Sequence, residues 1–212
     1  MNKKIVDEFH CEYERGRLWE KIRWLGIPIW KFPFDAFIIQ EIIFEVCPDF
    51  IIETGTGFGG SALFYASIMD LMQQGRVITV DVEDKMKLNN LTTIRLRSRI
   101  RQFIGSSTDL SIVNDISAMV KNRVNLVILD SWHSKAHVLE ELKLYSRSVT
   151  VGSYLIVEDS HVNNHPVPWK WKEGPYEAIM EFLYFNKNFK IDKDREKLEL
   201  TFNPCGFLRR IK

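Results

Sequence analysis

Carboxylates and a histidine follow two apolar runs of the chain. Asp130 ends the run LVIL, His133 follows three residues later, and Glu158 and Asp159 end the run YLIV. If both runs are parallel strands, these acids share one edge of a sheet and repel one another unless a cation binds. Oxygen donors favour a hard cation. The pattern predicts a site for Mg²⁺, or another hard divalent cation, formed by Asp130, Glu158 and Asp159.

His133 lies one turn past Asp130 and is the candidate general base. Beside a divalent cation its imidazole is expected to be neutral and able to accept a proton. We therefore predict His133 and Asp130 as catalytic residues. The alternative is that these polar groups cap helices and bond the backbone locally.

The stretch ETGTGFGGSA, residues 53–62, follows a strand pattern and opens a helical one. Its glycines allow a sharp turn and a close approach of the backbone to a ligand. No Lys-Ser/Thr pair follows, so the stretch is not a phosphate-binding P-loop. Glu53 disfavours a pyrophosphate and suits a cationic group, such as the sulfonium or ammonium of S-adenosylmethionine (SAM). A tight turn without a ligand is the alternative.

Two further strand ends complete a predicted cofactor site. Asp81 ends the run VITVD, where an acid can bind ribose hydroxyls, and GSSTD, residues 105–109, could contact adenine. The alternatives are a strand-end cap for Asp81 and a helix N-cap formed by Ser107 or Thr108. The predicted cofactor-binding residues are Glu53, Thr54, Gly55, Thr56, Gly59, Gly60, Ser61, Asp81, Ser106, Ser107 and Asp130.

Weaker candidates lie after the second acidic run. His161 follows Asp159 closely, and Trp169 and Trp171 lie in a loop with two prolines. These indoles could stack on a sugar or ring, although packing of a surface loop explains them equally well.

Short β-branched runs alternate with helical patterns after about residue 50. This alternation predicts an α/β fold with a mostly parallel sheet and helices on both faces. FKIDKD and LELTFNP, near the C-terminus, are predicted as strands of an antiparallel edge. Residues 1–48 are predicted as an N-terminal helical cap, and residues 49–212 as the main domain.

Composition favours an intracellular globular protein. The 212 residues carry a net charge of +1, which gives no reason to expect nucleic acid or a membrane surface as partner. Three cysteines form no CxxC pair, and the N-terminal residues lack the apolar core of a signal peptide. We expect a cytoplasmic protein that acts on a small molecule or glycoside and could form a homo-oligomer.

Several motifs together resemble the cephalosporin hydroxylase/rhamnosyl O-methyltransferase family, a branch of the class I SAM-dependent methyltransferases. The motifs are PDFIIETGTGFGGSA, VITVDVE, GSSTD, LDSWH, VGSYLIVED, GPYEAIMEF and NPCGFLRR. The resemblance covers most of the chain from Trp24 onward. It implies a seven-stranded Rossmann-like sheet, bound SAM, Mg²⁺ on Asp130, Glu158 and Asp159, and His133 as base. The short N-terminal part is the departure, which leaves the acceptor open.

The leading hypothesis is a metal-dependent SAM O-methyltransferase that acts on a sugar or related vicinal diol. The alternatives are a catalytically silent SAM-binding protein and, less favoured, an NAD-dependent enzyme or an iron oxygenase. The iron site would need two histidines and one carboxylate, such as His133, His161 and Asp159.

Overall fold

A seven-stranded sheet forms the centre of the protein. The computed structural model describes residues 2–88, 91–168 and 173–212, so Trp169 and Trp171 lie outside the described residues. Its strands are β3 (Phe50–Thr54), β4 (Arg76–Asp81), β5 (Ile100–Ile104), β6 (Asn125–Leu129), β7 (Tyr154–Val157), β8 (Phe189–Ile191) and β9 (Phe207–Arg210). The strand order is β5-β4-β3-β6-β7-β9-β8. β3 to β7 pair in parallel, and β9 pairs antiparallel with β7 and β8. The predicted fold class is confirmed, including the antiparallel edge.

Helices cover both faces of this sheet. The α-helices of the described residues are α1 (Lys3–Arg15), α2 (Pro33–Val46), α3 (Gly60–Leu71), α4 (Leu91–Arg97), α5 (Leu110–Met119), α6 (Lys135–Tyr145) and α7 (Pro175–Phe185). Successive strand residues point to opposite faces. Ile51 therefore packs with α2 and α3, whereas Ile52 packs with α5, α6 and α7. Because both faces are covered, the central strands are buried along almost their whole length, as in parallel sheets generally.

The strand order reverses between β3 and β6, since β4 and β5 lie on one side of β3 and β6 lies on the other. The carboxyl ends of strands at such a switch point form the ligand crevice of open α/β sheets. Gly55 follows β3, and Asp130 follows β6. The fold thus places the glycine-rich turn and the first acid side by side.

One predicted strand is wrong. Residues 198–204, LELTFNP, form no strand, and the partner of β8 in the antiparallel edge is β9 instead. Asp35 accounts for the difference, because it accepts hydrogen bonds from Thr201 Oγ1 (2.5 Å) and the Phe202 amide (2.8 Å). These bonds hold the segment against the start of α2 and away from the sheet.

The N-terminal residues share the core of the sheet. A short antiparallel hairpin, β1 (Arg23–Trp24) and β2 (Ile27–Pro28), was not predicted. Ile27, Ile29 and the buried face of α2 pack in the same cluster as Ile51 of β3. The division at residue 48 stays a prediction. Among the helices of the described residues, none has the length and apolarity to span a membrane.

Candidate active site

Asp130, His133 and Asp159 meet at the carboxyl ends of β6 and β7. His133 Nε2 lies 3.5 Å from Asp130 Oδ1 and 3.6 Å from Asp159 Oδ2. One ligand atom from each of the three residues lies within 4.8 Å of the other two, so the group could hold a metal ion. The structure thus brings together both predicted catalytic residues and two of the three predicted metal ligands.

Glu158 lies outside this ligand group. Its Oε1 is 2.9 Å from Lys31 Nζ, and the same ammonium lies 3.0 Å from Asp130 Oδ2. The side chains of Lys31 and Glu158 are only 1% and 4% exposed. Lys31 therefore supplies part of the positive charge that the three carboxylates require. Glu158 as a metal ligand stays a prediction.

Lys31 was not among the predicted site residues. It comes from the linker between β2 and α2, 99 positions before Asp130. The only sequence signal is that it is the one charged residue in the apolar and aromatic run IPIWKFPF, residues 27–34. A lone charge in such a run indicates a buried ion pair, because an unpaired buried ammonium is strongly unfavourable.

Burial and neighbouring charges strongly shift the pKa values of Glu158 and His133 at this edge of the sheet. Burial raises the pKa of Glu158 to about 7, although Lys31 opposes the change. Burial alone would lower the pKa of His133, but the carboxylates of Asp130 and Asp159 raise it to about 9. Without a metal ion, His133 is therefore protonated at neutral pH. The neutral imidazole expected from the sequence requires another cation to neutralise these carboxylates.

The glycines of the turn have different roles. A Cβ on Gly55 (φ +86°) would lie 1.8 Å from the Asp130 carbonyl oxygen, and one on Gly60 would lie 2.1 Å from the Pro28 carbonyl oxygen. These glycines permit close approach of the protein's own backbone, and their contact with a ligand stays a prediction. Gly57 (φ +50°) differs, because a Cβ there would meet no described atom within 4 Å.

The predicted cofactor residues separate into two groups. Gly55, Thr56, Gly60, Ser61 and Asp130 line a cavity of about 300 Å³. Among the described residues, that cavity wall does not include the other six: Glu53, Thr54, Gly59, Asp81, Ser106 and Ser107.

Glu53 lies beneath the cavity. It is fully buried, and its Oε2 accepts a hydrogen bond from Thr79 Oγ1 (2.7 Å). Burial raises its pKa to about 7, and the charge of Lys31 opposes the rise. In this position Glu53 contributes negative charge below the turn, and a direct contact with a cationic ligand group stays a prediction.

Asp81 orders the glycine turn. Its Oδ2 accepts the Gly57 amide (2.9 Å) and its Oδ1 the Glu83 amide (3.0 Å), so it caps the strand end. Ser107 Oγ lies 3.1 Å from His137 Nε2. The N-cap of α5 is Asp109, and neither Ser107 nor Thr108 takes that role. Ribose binding by Asp81 and adenine binding by Ser106 and Ser107 stay predictions.

The other side of the cavity comes from residues that the sequence did not single out as a group. Glu14, Trp19, Trp30, Phe58 and Phe202 line it together with His161. They derive from α1, the segment after it and the loops that follow β3 and precede β9. Their shared position depends on contacts between distant parts of the chain.

The geometry does not support the iron alternative. The candidate metal group among the described residues contains one histidine and two carboxylates. His161 Nδ1 lies 3.7 Å from Asp159 Oδ1, but it also lies 3.0 Å from the Phe202 carbonyl oxygen and is engaged there. An oxygenase triad would need a second histidine nitrogen directed at the metal.

The metal-free protein is expected to lose stability as pH rises from about 6.5 to about 9. The pKa of His133 is about 9 in the folded state against 6.5 unfolded, so its contribution is complete below pH 6.5 and lost through pH 9. The pKa values of Glu53 and Glu158 are raised to about 7, so ionisation of these carboxyl groups also lowers the stability of the folded protein as pH rises. We expect a loss of about 2 kcal/mol, or roughly 4–8 °C in Tm.

Thermal unfolding in EDTA at pH 6.5 and pH 9 measures this loss. His133→Gln should reduce the difference between the two Tm values, because it removes the group with the highest of the three raised pKa values. A wild-type Tm that is unchanged or higher at pH 9 would contradict the assignment of charge at this edge.

Comparison with known proteins points to one family. A sequence model of the family described as rhamnosyl O-methyltransferase/CmcI matches residues 16–211. The rhamnosyl O-methyltransferase of Mycobacterium tuberculosis (strain ATCC 25618 / H37Rv) is 38% identical, over 97% of this chain and 85% of the relative. That of Mycobacterium leprae (strain TN) is 37% identical, over 97% and 90%.

Solved structures share the fold. A CmcI structure described as Mg-SAM has a TM-score of 0.69 at 18% identity, and the match covers 91% of this chain and 78% of that one. A putative caffeoyl-CoA O-methyltransferase from Staphylococcus aureus has a TM-score of 0.61 at 17% identity, over 89% and 91%. The sequence matches confirm the resemblance and the expected enzyme class: the chain belongs to the rhamnosyl O-methyltransferase/CmcI family of O-methyltransferases.

Proposed function

We propose that this protein is a SAM- and divalent-cation-dependent O-methyltransferase that acts on a hydroxyl of a sugar or related vicinal diol. One observation carries the proposal. One polar side-chain atom from each of Asp130, His133 and Asp159 lies within 4.8 Å of the other two, and these residues share a cavity with the glycine-rich turn. The names of the relatives, rhamnosyl O-methyltransferase, support a sugar acceptor.

The residues fit a hard cation. Asp130 and Asp159 offer carboxylate oxygens at partly exposed positions, 21% and 29%, so a bound ion could keep sites open for other oxygens. The Mg-SAM form of CmcI, a family member by name, supports Mg²⁺. When bound, the cation would hold two acceptor oxygens and lower the pKa of the reacting hydroxyl.

The residues also fit a methyl donor with a cationic centre. Gly57 presents open backbone, and Thr56 and Ser61 lie with it on the cavity wall beside Asp130. Glu53 and Asp130 supply the negative charge that suits a sulfonium or ammonium group. The sulfonium supplies an activated methyl group, so the protein has mainly to position the two substrates.

His133 is the residue that takes the proton. Its Nε2 has no hydrogen-bond partner among the described residues, and the side chain lies on the cavity wall, where the acceptor hydroxyl would bind. The negative charge of Asp130 and Asp159 keeps its pKa at about 9, and a cation held by the same carboxylates would lower that pKa. A neutral His133 then accepts the proton at Nε2 as the methyl group is transferred.

The test combines binding with turnover. Calorimetry with SAM and with Mg²⁺, and methyl transfer to methyl α-rhamnoside, nucleotide sugars and catechol with Mg²⁺ or EDTA, should show binding of both ligands and turnover that EDTA abolishes. His133→Ala should leave SAM binding intact and reduce turnover roughly a hundredfold or more.

Other outcomes select the alternatives. SAM binding without Mg²⁺ binding or turnover would indicate a catalytically silent protein. Tighter binding of NAD than of SAM would indicate an NAD-dependent enzyme. Unchanged turnover by His133→Ala with the acceptor would disprove the base assignment.

A further inference from the structure

A second group of polar and aromatic side chains faces the cavity next to the metal edge. We name Glu14, Trp19, Trp30, His161 and Phe202 the aromatic wall. None of these residues has a role in the site described above. Three of them come from the N-terminal segment, which packs against the loops that carry the other two.

His161 is held in a fixed orientation within this wall. It is 2% exposed, and its ring stacks on Phe202 with centroids 3.9 Å apart and an interplanar angle of 10°. Its Nδ1 lies 3.0 Å from the Phe202 carbonyl oxygen, which only accepts hydrogen bonds. Nδ1 is therefore engaged by that carbonyl oxygen, and Nε2 is the ring nitrogen that remains for another partner.

Two polar groups lie close together on the wall. His161 Nε2 has no hydrogen-bond partner within the described ranges, and Glu14 Oε2 lies 3.7 Å from it. A buried polar atom without a hydrogen-bond partner is unfavourable, so the pair suits a ligand that can bond to both groups. A hydroxyl group that lies between them, or two neighbouring hydroxyl groups, could do so, because a hydroxyl both donates and accepts.

The indoles provide the apolar part of the wall. Trp19 and Trp30 meet edge to face at 5.5 Å, and Trp30 meets Phe58 in the same way at 5.1 Å. Trp19 Nε1 is buried and lacks a hydrogen-bond partner in the part of the chain that is described. An indole offers a flat apolar face and one N–H donor, which match the C–H face and the oxygen atoms of a pyranose ring.

The wall adjoins the metal edge directly. His161 Nδ1 is 3.7 Å from Asp159 Oδ1, and His133 and Asp159 line the same cavity. A ring bound on the wall therefore has hydroxyl groups within reach of the proposed cation and base. The carboxylates of Glu14 and Asp159 disfavour a sugar that carries its own negative charge.

We propose that the aromatic wall is the acceptor subsite, and that it binds a neutral, hydroxyl-rich pyranose glycoside through Glu14, His161 and the two indoles. This inference rests on the proposed function and adds to it the place and the chemical class of the acceptor. Glu14 and Trp19 are its specificity-determining residues.

Glu14→Gln tests the polar part, with Glu12→Gln on the exposed side of the same helix as the matched control. With methyl α-rhamnoside as probe, Glu14→Gln should raise the acceptor KM at least about tenfold, the effect of losing a hydrogen bond to a charged group. The KM for SAM and the KM for catechol, a flat diol without a sugar ring, should stay within twofold. Glu12→Gln should match the wild type.

A binding measurement separates this inference from the proposed function. Methyl α-rhamnoside, titrated into the protein with Mg²⁺ but without SAM, should change the tryptophan fluorescence, and Trp19→Phe should remove most of that change. Methyl transfer by the wild type with no effect of either variant on glycoside KM or binding would overturn the subsite and leave the function intact. If the KM values for catechol and for SAM rose as much as that for the glycoside, the subsite would also be overturned. The wall residues would then maintain the structure of the whole site and would not select the sugar.

If the wild type binds the glycoside at the wall but transfers no methyl group, the proposed function fails and the subsite stands. Binding of a charged uronate as tight as that of the neutral glycoside would disprove the predicted preference for a neutral sugar.

Discussion

Asp130→Asn is expected to abolish detectable Mg²⁺ binding and to reduce methyl transfer by roughly a thousandfold or more. Asp130 Oδ1 faces His133 Nε2 at 3.5 Å and belongs to the candidate metal group. The amide keeps the shape of the side chain and an oxygen for Lys31, but it removes the charge that binds the cation. Cation stabilisation of a reacting oxygen is worth several kcal/mol, and each 1.36 kcal/mol is tenfold in rate.

Calorimetric titration with Mg²⁺ and turnover with methyl α-rhamnoside measure the effect. Asp115→Asn, at an exposed position of α5, is the matched control and should behave as the wild type. Circular dichroism establishes that both variants are folded. An Asp130→Asn protein that binds Mg²⁺ with wild-type affinity would show that the cation, if it binds, is held elsewhere.

Lys31→Met is expected to lower the free energy of unfolding by about 3–5 kcal/mol, which corresponds to roughly 6–20 °C in Tm. The substitution removes the ammonium that lies 2.9 Å from Glu158 Oε1 and 3.0 Å from Asp130 Oδ2. Glu158 then remains in the core without its counter-charge. Breaking such a buried pair costs far more than removing an exposed one.

The double variant Lys31→Met/Glu158→Gln tests the cause. It removes both charges of the buried pair and should recover a substantial part of the lost stability, because only the partly exposed Asp130 then lacks the ammonium. Lys4→Met is the surface control, since Lys4 and Glu8 are 81% and 65% exposed, and it should change stability by no more than about 0.5 kcal/mol. Equal stability of Lys31→Met and Lys4→Met in chemical denaturation would refute the buried-pair interpretation.

Lys31 links the N-terminal segment to the chemistry of the sheet edge. It comes from the linker that precedes α2, yet its ammonium lies between the ends of β6 and β7. By pairing with Glu158 it leaves Asp130 Oδ1, His133 and Asp159 as the group that faces the cavity. The N-terminal segment therefore contributes one residue to the electrostatics of the proposed metal site and three to the aromatic wall.

The architecture could be predicted from local patterns. The apolar run of β6, buried at all five positions, and the helical periodicity of α3 depend on neighbouring residues, and that information is present in any short window. The position of Asp130 and Asp159 at strand ends follows from the same windows. Parallel pairing then brings the ends together, since it aligns all carboxyl ends on one edge.

The error at LELTFNP has the opposite origin. The segment alternates apolar and polar residues as a strand does, but Asp35 binds it from 166 and 167 positions away. A local window contains no trace of that contact. The steric need for Gly55 is likewise absent from any local window, because it comes from the carbonyl oxygen of Asp130.

The sequence by itself determined the fold class, the family and the proximity of Asp130, His133 and Asp159, because these depend on periodicity, strand ends and motifs within short stretches. Only the tertiary structure decided that Lys31 pairs with Glu158 and that Glu14 faces His161. These pairs join residues more than a hundred positions apart. Their physical basis is the cost of leaving charges and acceptors unpaired in the interior, and that cost is set by burial, which no local spacing encodes.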